Sequence, residues 1–330
     1  MLGEALKGLG AKIDYLALRR HEDGPDGPGL HLWDGSAKGL RQAIRRLGTE
    51  VLWIQYSGYG FSRKGIPFGL ARALEEVRKR PAAPTIVVCV HETHANRTRL
   101  GWRAPLIQRL QIVASRRVVR AADIVFATVD VNLNRCIDEY EVTRTSISLL
   151  PIASNIPNVQ VRESERVAFR GQLGLPANAR IAVMFGLWAT QLRTLELFRD
   201  ELISSLRDGR IDHVLAIGGE AKQPPKNLLK VGGKHLRGHL TVYGPASGPE
   251  IAKILRCCDI GLVPTPRDYL RKSGVAAAFV TADLELWMKN ARSEFSVVKN
   301  LAPFPQWAEL AGMASERIIS YIKNSGNVGR

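Results

Sequence analysis

No stretch of this sequence approaches the roughly 18 to 20 consecutive apolar residues of a membrane-crossing helix. Its first residues, MLGEALKGLGAKIDY, are broken by Glu4 and two lysines, which argues against a secretory leader. Only four cysteines occur, Cys89, Cys136, Cys257 and Cys258, and they lack metal-ligand spacing. Reduced thiols in a cytosolic protein are the expectation, and no metal site is expected. Neither GxGxxG nor GxxxxGK[ST] is found, which argues against dinucleotide-dependent dehydrogenases and P-loop NTPases. There is no heptad or short-period repeat. Acidic residues are in deficit: 31 Asp and Glu against 47 Lys and Arg leave a net charge of +16. The excess is shared, +8 over residues 1–157 and +8 over 158–330, so it is no basic tail on a neutral core. A surface of that sign attracts nucleic acid, anionic lipid or phosphorylated substrates.

What is present alternates. Short β-rich runs at 12–18, 51–56, 85–90, 124–128 and 146–150 are separated by helical patterns, including 37–47 and 67–80. After LPIASNIP and a polar segment the pattern restarts, with strands expected at 180–185, 213–217, 240–243 and 260–263. Helices are expected at 191–207, 223–231 and 249–257. This predicts an α/β protein of two Rossmann-like domains joined near residues 153–175. The expected divisions are 1–157, 158–312, and a carboxyl-terminal helix and tail, 313–330, packing back on the first domain.

Ligands of open α/β sheets bind at the carboxyl ends of the strands, so residues just after strands are candidates. The stretch DIGLVPTPRDYLRKSGVAAAFV (259–280) reads as a buried strand, a basic loop with Arg267, Arg271 and Lys272, and a helix opened by Ser273 and Gly274. Free N–H groups and the positive dipole end of such a helix suit phosphate; a purely structural Ser cap is the alternative. Gly186, and Gly218 with Gly219, follow two strands of the second series and let backbone approach a ligand. In the first half, His91 and Glu92 follow the apolar run TIVVCV, where a His can contact or deprotonate a substrate hydroxyl. Tyr59, Arg63 and Lys64 lie in a glycine-rich basic loop, a position that serves clefts and turns alike. From Thr93 to Ala122 there are seven arginines (97, 99, 103, 109, 116, 117 and 120) and no acid, on an amphipathic pattern. That pattern suits an anionic membrane surface, nucleic acid or a solvated face; a single aromatic, Trp102, argues against base stacking.

LPIASNIP, the run YGPASGPEIAKILRCCDIGLVPTP and the KSG at 272–274 together resemble the family 4 glycosyltransferases of GT-B fold. The HE after TIVVCV and QYSGYGFSRKGIP are similar to acceptor-side elements of bacterial members. The resemblance implies two Rossmann-like domains facing each other across a cleft. The implied reaction is metal-independent transfer of a hexose from a nucleotide-diphosphate sugar to a hydroxyl of a glycan or lipid-linked acceptor, in surface polysaccharide or glycolipid assembly. By the same resemblance Lys272, Ser273, Gly274, Arg267, Arg193 and Gly186 hold the donor phosphates. Gly218, Gly219, Tyr243 and Gly244 hold the nucleotide, Tyr59, Arg63 and Lys64 the acceptor, and His91 and Glu92 serve catalysis. The nucleotide sugar is a co-substrate and no other cofactor is implied; a cytoplasmic location is expected, and the basic pattern of 97–120 would suit a peripheral position at the inner face of the membrane. Three features depart from the family. The first strand with its glycine loop is missing, the glutamate pair beside the donor sugar is absent, and Arg193 is the only basic residue soon after Gly186. These departures motivate a second reading, a non-catalytic GT-B-like binding or partner subunit, and charge motivates a third, nucleic-acid binding.

Overall fold

Parallel strands cannot be joined by a tight hairpin, so each return to the sheet needs a crossover, usually a helix. A computed structural model describes residues 2–18, 30–94, 104–219, 228, 230–231, 235–289, 294–299 and 301–326. The chain divides into two units, Met1–Pro151 with Trp307–Arg330, and Ile152–Gln306. Both are α/β, with parallel sheets, as the alternation predicts.

In the first unit, helix α1 (Leu2–Gly8) leads to strand β1 (Tyr15–Leu18), which pairs in parallel with β2 (Leu30–Trp33). A separate four-stranded parallel sheet runs β3 (Val51–Ser57), β4 (Thr85–Glu92), β5 (Ile124–Ala127), β6 (Ile147–Leu149). Its central strands are buried on both faces, which is why they read as unbroken apolar runs. Between them lie α2 (Ala37–Leu47), α3 (Gly58–Phe61), α4 (Phe68–Arg78), α5 (Ala104–Arg120) and α6 (Asp130–Asp138). Helix α2 starts where Ser36 Oγ accepts from the Gly39 N–H and stops at Gly48, whose φ of 59° is left-handed. Burial pushes the Cys89 and Cys136 thiols up to about 12, so both stay protonated and inert at neutral pH.

The second unit holds α7 (Glu163–Gln172), β7 (Ile181–Phe185), α8 (Trp188–Arg207), β8 (His213–Ile217), β9 (Leu240–Gly244), α9 (Gly248–Arg256) and β10 (Ile260–Val263). A 3₁₀ turn (Arg267–Lys272), α10 (Gly274–Thr281), β11 (Glu285–Lys289) and β12 (Phe295–Val298) complete it. Its sheet order is β12-β11-β10-β7-β8-β9, parallel except for β12, which runs antiparallel to β11. Helix α10 lies flat on β10 because Gly261 has no side chain; a Cβ there would meet the Phe279 ring at 2.3 Å. The last helix, α11 (Trp307–Gly326), belongs to the first unit, where Tyr321 donates to Asp123 Oδ1 at 3.1 Å and Arg317 donates to the Thr145 carbonyl.

Among the described residues several elements go beyond the sequence expectation, helix α6 included. Strand β2 is only four residues long. The glycine-rich basic loop contains the single helical turn α3. Helix α7 hides in a polar segment that buries one residue, Arg170, so it offers no apolar periodicity. Strands β11 and β12 occupy the run TADLELWMKNARSEF and the residues after it. The turn-rich loop 23–29, Arg97, Arg99, Trp102, Arg103, Glu220 and most of the expected helix 223–231 lie outside the described residues.

Asp259 fixes the amino edge of the second sheet. Its carboxylate accepts from Arg170 Nη2 at 3.0 and 3.1 Å, Arg166 Nη2 at 3.1 Å and the Ile181 N–H at 2.8 Å. One residue thereby ties α7 to the starts of β7 and β10. Arg170 is buried and also donates to the Ala179 carbonyl. Asp259→Ala strands that guanidinium without its counter-charge and should lower the unfolding free energy of this unit by roughly 3–5 kcal/mol in urea titration. A loss under about 1 kcal/mol, typical of a surface pair, would show that the cluster holds nothing.

Candidate functional site

The order of the second sheet makes its own suggestion. From β7 the chain moves outward through β8 to β9, then returns to the other side of β7 for β10 and β11. The reversal lies between β7 and β10, and open α/β sheets bind ligands at the carboxyl ends of the strands flanking such a reversal. The segments leaving those two strands are Gly186–Leu187, leading into α8, and Pro264–Ser273, leading into α10. They lie side by side: a Cβ on Gly186 would come 3.7 Å from Val275 Cγ2, in the first turn of α10.

Both helices present open amino ends to this place. Ser273 caps α10, its Oγ accepting from the Ala276 N–H at 3.2 Å and from Thr265 Oγ1 at 3.3 Å. Its hydroxyl is thus engaged in the cap, and helix geometry leaves the Gly274 and Val275 N–H groups without an intrahelical acceptor. Helix α8 has no side-chain cap at Leu187, and helix geometry leaves the Ala189 and Thr190 N–H groups without an intrahelical acceptor as well. Lys272 is half-buried with Nζ 5.0 Å from the centre of the Tyr269 ring. Arg267 and Arg193 are exposed, and neither side chain is held by an ion pair or hydrogen bond among the described residues. Arg271 is spent on structure, donating to the Pro303 carbonyl at 2.9 Å and lying over Phe304.

The neighbouring strand ends close around glycine. Gly186, Gly218, Gly219 and Gly244 all have positive φ, at 125°, 99°, 102° and 81°. The Gly186 N–H donates to the Ile217 carbonyl at 3.2 Å, and the Gly218 N–H to the Gly244 carbonyl at 2.8 Å. A Cβ on Gly218 would stand 2.8 Å from the Gly186 carbonyl oxygen, and one on Gly219 would stand 2.2 Å from the Trp188 indole. Gln191, fully buried, donates from Nε2 to the Gly186 and Ile217 carbonyls at 2.8 and 3.0 Å. Gln191 was not singled out in the sequence, where nothing local marks it as buried. Tyr243 donates to Glu250 Oε1 at 2.9 Å, and that bond, with partial burial, raises its phenol pKa.

In the first unit the carboxyl ends of β3 and β4 meet. His91 Nε2 bonds the Gln55 carboxamide oxygen, the Asn132 amide donates to the His91 carbonyl at 3.0 Å, and Ser57 Oγ donates to Glu92 Oε2 at 2.7 Å. Gln55 and Ser57 were not singled out in the sequence. With Gln55 accepting, Nε2 carries the proton and Nδ1 is the basic nitrogen of the neutral ring. Tyr59 accepts from Gln111 Nε2 at 3.0 Å, and the same amide donates to the Lys64 carbonyl at 2.7 Å, so the turn carrying Tyr59 and Lys64 is fastened to α5. Arg63 and Lys64 are exposed.

Helix α5 corrects the picture of a basic face. Arg116 donates to the Glu139 carbonyl and pairs with Glu141, Arg120 pairs with Glu141, and Arg117 makes a two-point bond with Glu75. Two acids distant in sequence, Glu141 and Glu75, thus pair with these three, while Arg109 is exposed. Leu106, Leu110 and Val113 are 62%, 36% and 47% exposed, an apolar stripe at i, i+4, i+7 facing outward. No helix among the described residues is long and apolar enough to cross a membrane.

No family model and no curated protein matches the sequence. Solved structures do. A sucrose-phosphate synthase from Thermosynechococcus elongatus superposes with a TM-score of 0.63 at 15% identity, covering 97% of this chain and 82% of that one. WaaG, a glycosyltransferase involved in lipopolysaccharide biosynthesis, gives 0.57 at 10% identity over 87% and 75% of the two chains. HepE from Anabaena, solved in complex with UDP and glucose, gives 0.55 at 13% identity over 93% and 90%. The fold is GT-B. Each of its two parallel-sheet units, in this chain, ends its strands in the residues described above.

Gly218→Ala should cost roughly 1–3 kcal/mol, because the methyl group meets a backbone oxygen that no rotamer change can move. Gly209→Ala is the comparison: its φ is also positive, 65°, but nothing lies within 4 Å of the added atom. Equal losses in thermal denaturation would show that φ alone, and not the contact, requires glycine at 218.

Proposed function

We propose that this protein is a metal-independent glycosyltransferase that moves a hexose from a nucleotide-diphosphate sugar to a hydroxyl of a glycan or lipid-linked acceptor. The observation that carries the reading is the switch point between β7 and β10, where two open helix ends, Gly186 and the Lys272 loop converge. A diphosphate fits that chemistry: backbone N–H groups of Gly274 and Val275 donate to its oxygens, and Lys272, Arg267 and Arg193 supply charge. The nucleoside runs along the glycine ends of β8 and β9, past Gly218, Gly219 and Gly244, with Tyr243 beyond. HepE, of the same fold, is described with UDP and with UDP-glucose, which supports a nucleotide sugar as the ligand.

In the reaction the acceptor oxygen bonds to the anomeric carbon while the bond from that carbon to the diphosphate oxygen breaks. Negative charge grows on the leaving diphosphate, so fixed donors there stabilise the transition state more than the ground state. The acceptor hydroxyl gives up its proton; His91, oriented by Gln55, is the assigned base, with Glu92 held beside it by Ser57. Tyr59, Arg63 and Lys64 are the acceptor-side residues. Val275 to Val280 in α10 carries no carboxylate, which favours, as the second reading, a partner subunit that binds nucleotide without turnover.

Three measurements test this. Lys272→Ala should weaken nucleoside-diphosphate binding by about tenfold or more in calorimetry, a change of 1.4 kcal/mol; unchanged affinity removes the loop from the site. His91→Ala should cut transfer by about a hundredfold while leaving diphosphate affinity intact. Nucleotide binding with no transfer to any glycan or lipid-linked acceptor in the unaltered protein would favour the partner-subunit reading. A cytoplasmic protein peripheral at an anionic membrane is part of the proposal, resting on the outward stripe of α5. Leu106→Asp with Leu110→Asp should lower co-sedimentation with phosphatidylglycerol vesicles by roughly tenfold or more; equal binding would remove the membrane from the account.

A further inference from the structure

Strand β4 runs past the strand on one side of it. Its pairing with β5 ends where Val90 faces Ala127, with a further bond from the Thr128 N–H to the Val90 carbonyl at 3.3 Å. On its other side β3 follows it to Glu92, but with a slip: Tyr56 faces Val90, and Ser57, the next residue, faces Glu92. One step on β3 answers two steps on β4. His91 is therefore an extra residue, a β-bulge in a parallel pair, where bulges are rare.

The bulge changes what the two side chains can do together. Neighbouring residues of a regular strand point to opposite faces. Gln55 and Ser57, two apart on β3, share a face, yet they hold His91 and Glu92, which are adjacent. His91 Nε2 bonds the Gln55 carboxamide oxygen, and Ser57 Oγ donates to Glu92 Oε2 at 2.7 Å. The extra residue thus turns an imidazole and a carboxylate, in succession, to one side. Burial agrees: Val90 and Thr93 are buried, and the two residues between them are not.

A bulge leaves its extra residue outside the ladder, and a carbonyl so placed needs a donor. Asn132, 1% exposed in the first turn of α6, donates from Nδ2 to the His91 carbonyl at 3.0 Å. Three residues on, along the same side of the helix, Arg135 Nη1 donates to Thr93 Oγ1 at 2.8 Å. Helix α6 therefore grips the strand at the extra residue and again just beyond the pair, where β5 no longer reaches.

We propose that Asn132 is a positioning residue for the acceptor side of the reaction. By holding the His91 carbonyl it maintains the bulge, and the bulge brings the His91 imidazole and the Glu92 carboxylate to one face, where both can meet one acceptor hydroxyl. The inference rests on the reading of His91 and Glu92 as the acceptor-side pair. It adds that the pair exists only through a slip of register that a buried amide keeps in place.

The test reads geometry and rate separately. In the unaltered full chain, nuclear Overhauser contacts should join the Ser57 β-protons to the Glu92 side chain and the Gln55 side chain to the His91 ring. Contacts from Ser57 to the His91 ring in place of Glu92 would mean a regular register and overturn the proposal. This measurement needs neither a variant nor turnover, so failure of the bulge is distinguishable from failure of the transferase reading. Asn132→Ala, and Asn132→Asp, which keeps the shape but offers the carbonyl no donor, should weaken the Ser57–Glu92 contact. Both should lower kcat about tenfold or more, with nucleoside-diphosphate affinity and the donor KM unchanged. Thr128→Val removes a hydroxyl whose acceptor, the Val90 carbonyl, keeps its backbone donor, and should leave contact and rate as they are. Contacts that survive both Asn132 substitutions overturn the proposal. So does a lost contact with kcat unchanged, or an equal loss in Thr128→Val.

Discussion

The contact between the Gly186 carbonyl and the Gly218 backbone sets the geometry on which the rest of the second unit depends. Parallel strands twist as they leave the sheet, and their ends would ordinarily diverge. Here three ends are instead drawn together by hydrogen bonds from one strand to the next, and Gln191 closes the gap from the first turn of α8. That approach leaves no volume for a side chain. It also aims α8 and α10 so that both open amino ends arrive at one location, while the opposite edge is held by Asp259. A rigid amino edge and a tightly drawn carboxyl edge give the intervening loops fixed anchor points.

Much of this was legible in the amino-acid sequence because the physics is local. IGLV bounded by Pro264 reads as a buried strand, Ser273 reads as a cap, and TIVVCV announces that His91 stands at a strand end. What escaped was long-range. Nothing in ESERVAFRGQ marks a helix whose main role is to bring Arg166 and Arg170 to Asp259, some ninety residues later. Nothing in LWATQLR distinguishes Gln191 from a solvent-facing glutamine. The arginines of α5 looked unopposed because their acids, Glu75 and Glu141, come from other elements. The α/β class was readable from periodicity, whereas the separation of β1 and β2 from the four-stranded sheet is a property of pairing that no local pattern encodes.

The two units share a strategy and differ in completeness. The second has an unbroken six-stranded sheet, and its chemistry gathers at the reversal of strand order. The first has its polar groups at the ends of β3 and β4, where Gln55, Ser57, His91 and Glu92 form two short side-chain pairs. Charge follows the same division of labour. In α5 most arginines are consumed by structural acids, while around the 3₁₀ turn Arg267 stays exposed. A local count of basic residues therefore overstates how much positive potential is available for ligands on α5 and is a fairer guide at the 3₁₀ turn.

The return of α11 to the first unit has a consequence for biosynthesis. Residues 152–306 form a contiguous unit and can close as soon as they leave the ribosome. The amino-terminal unit, although made first, must wait for Arg317 and Tyr321 to emerge before their bonds to Thr145 and Asp123 can form. The usual order of co-translational folding, earliest segment first, is inverted for its final step. The earlier-made half is completed last, by the end of the chain.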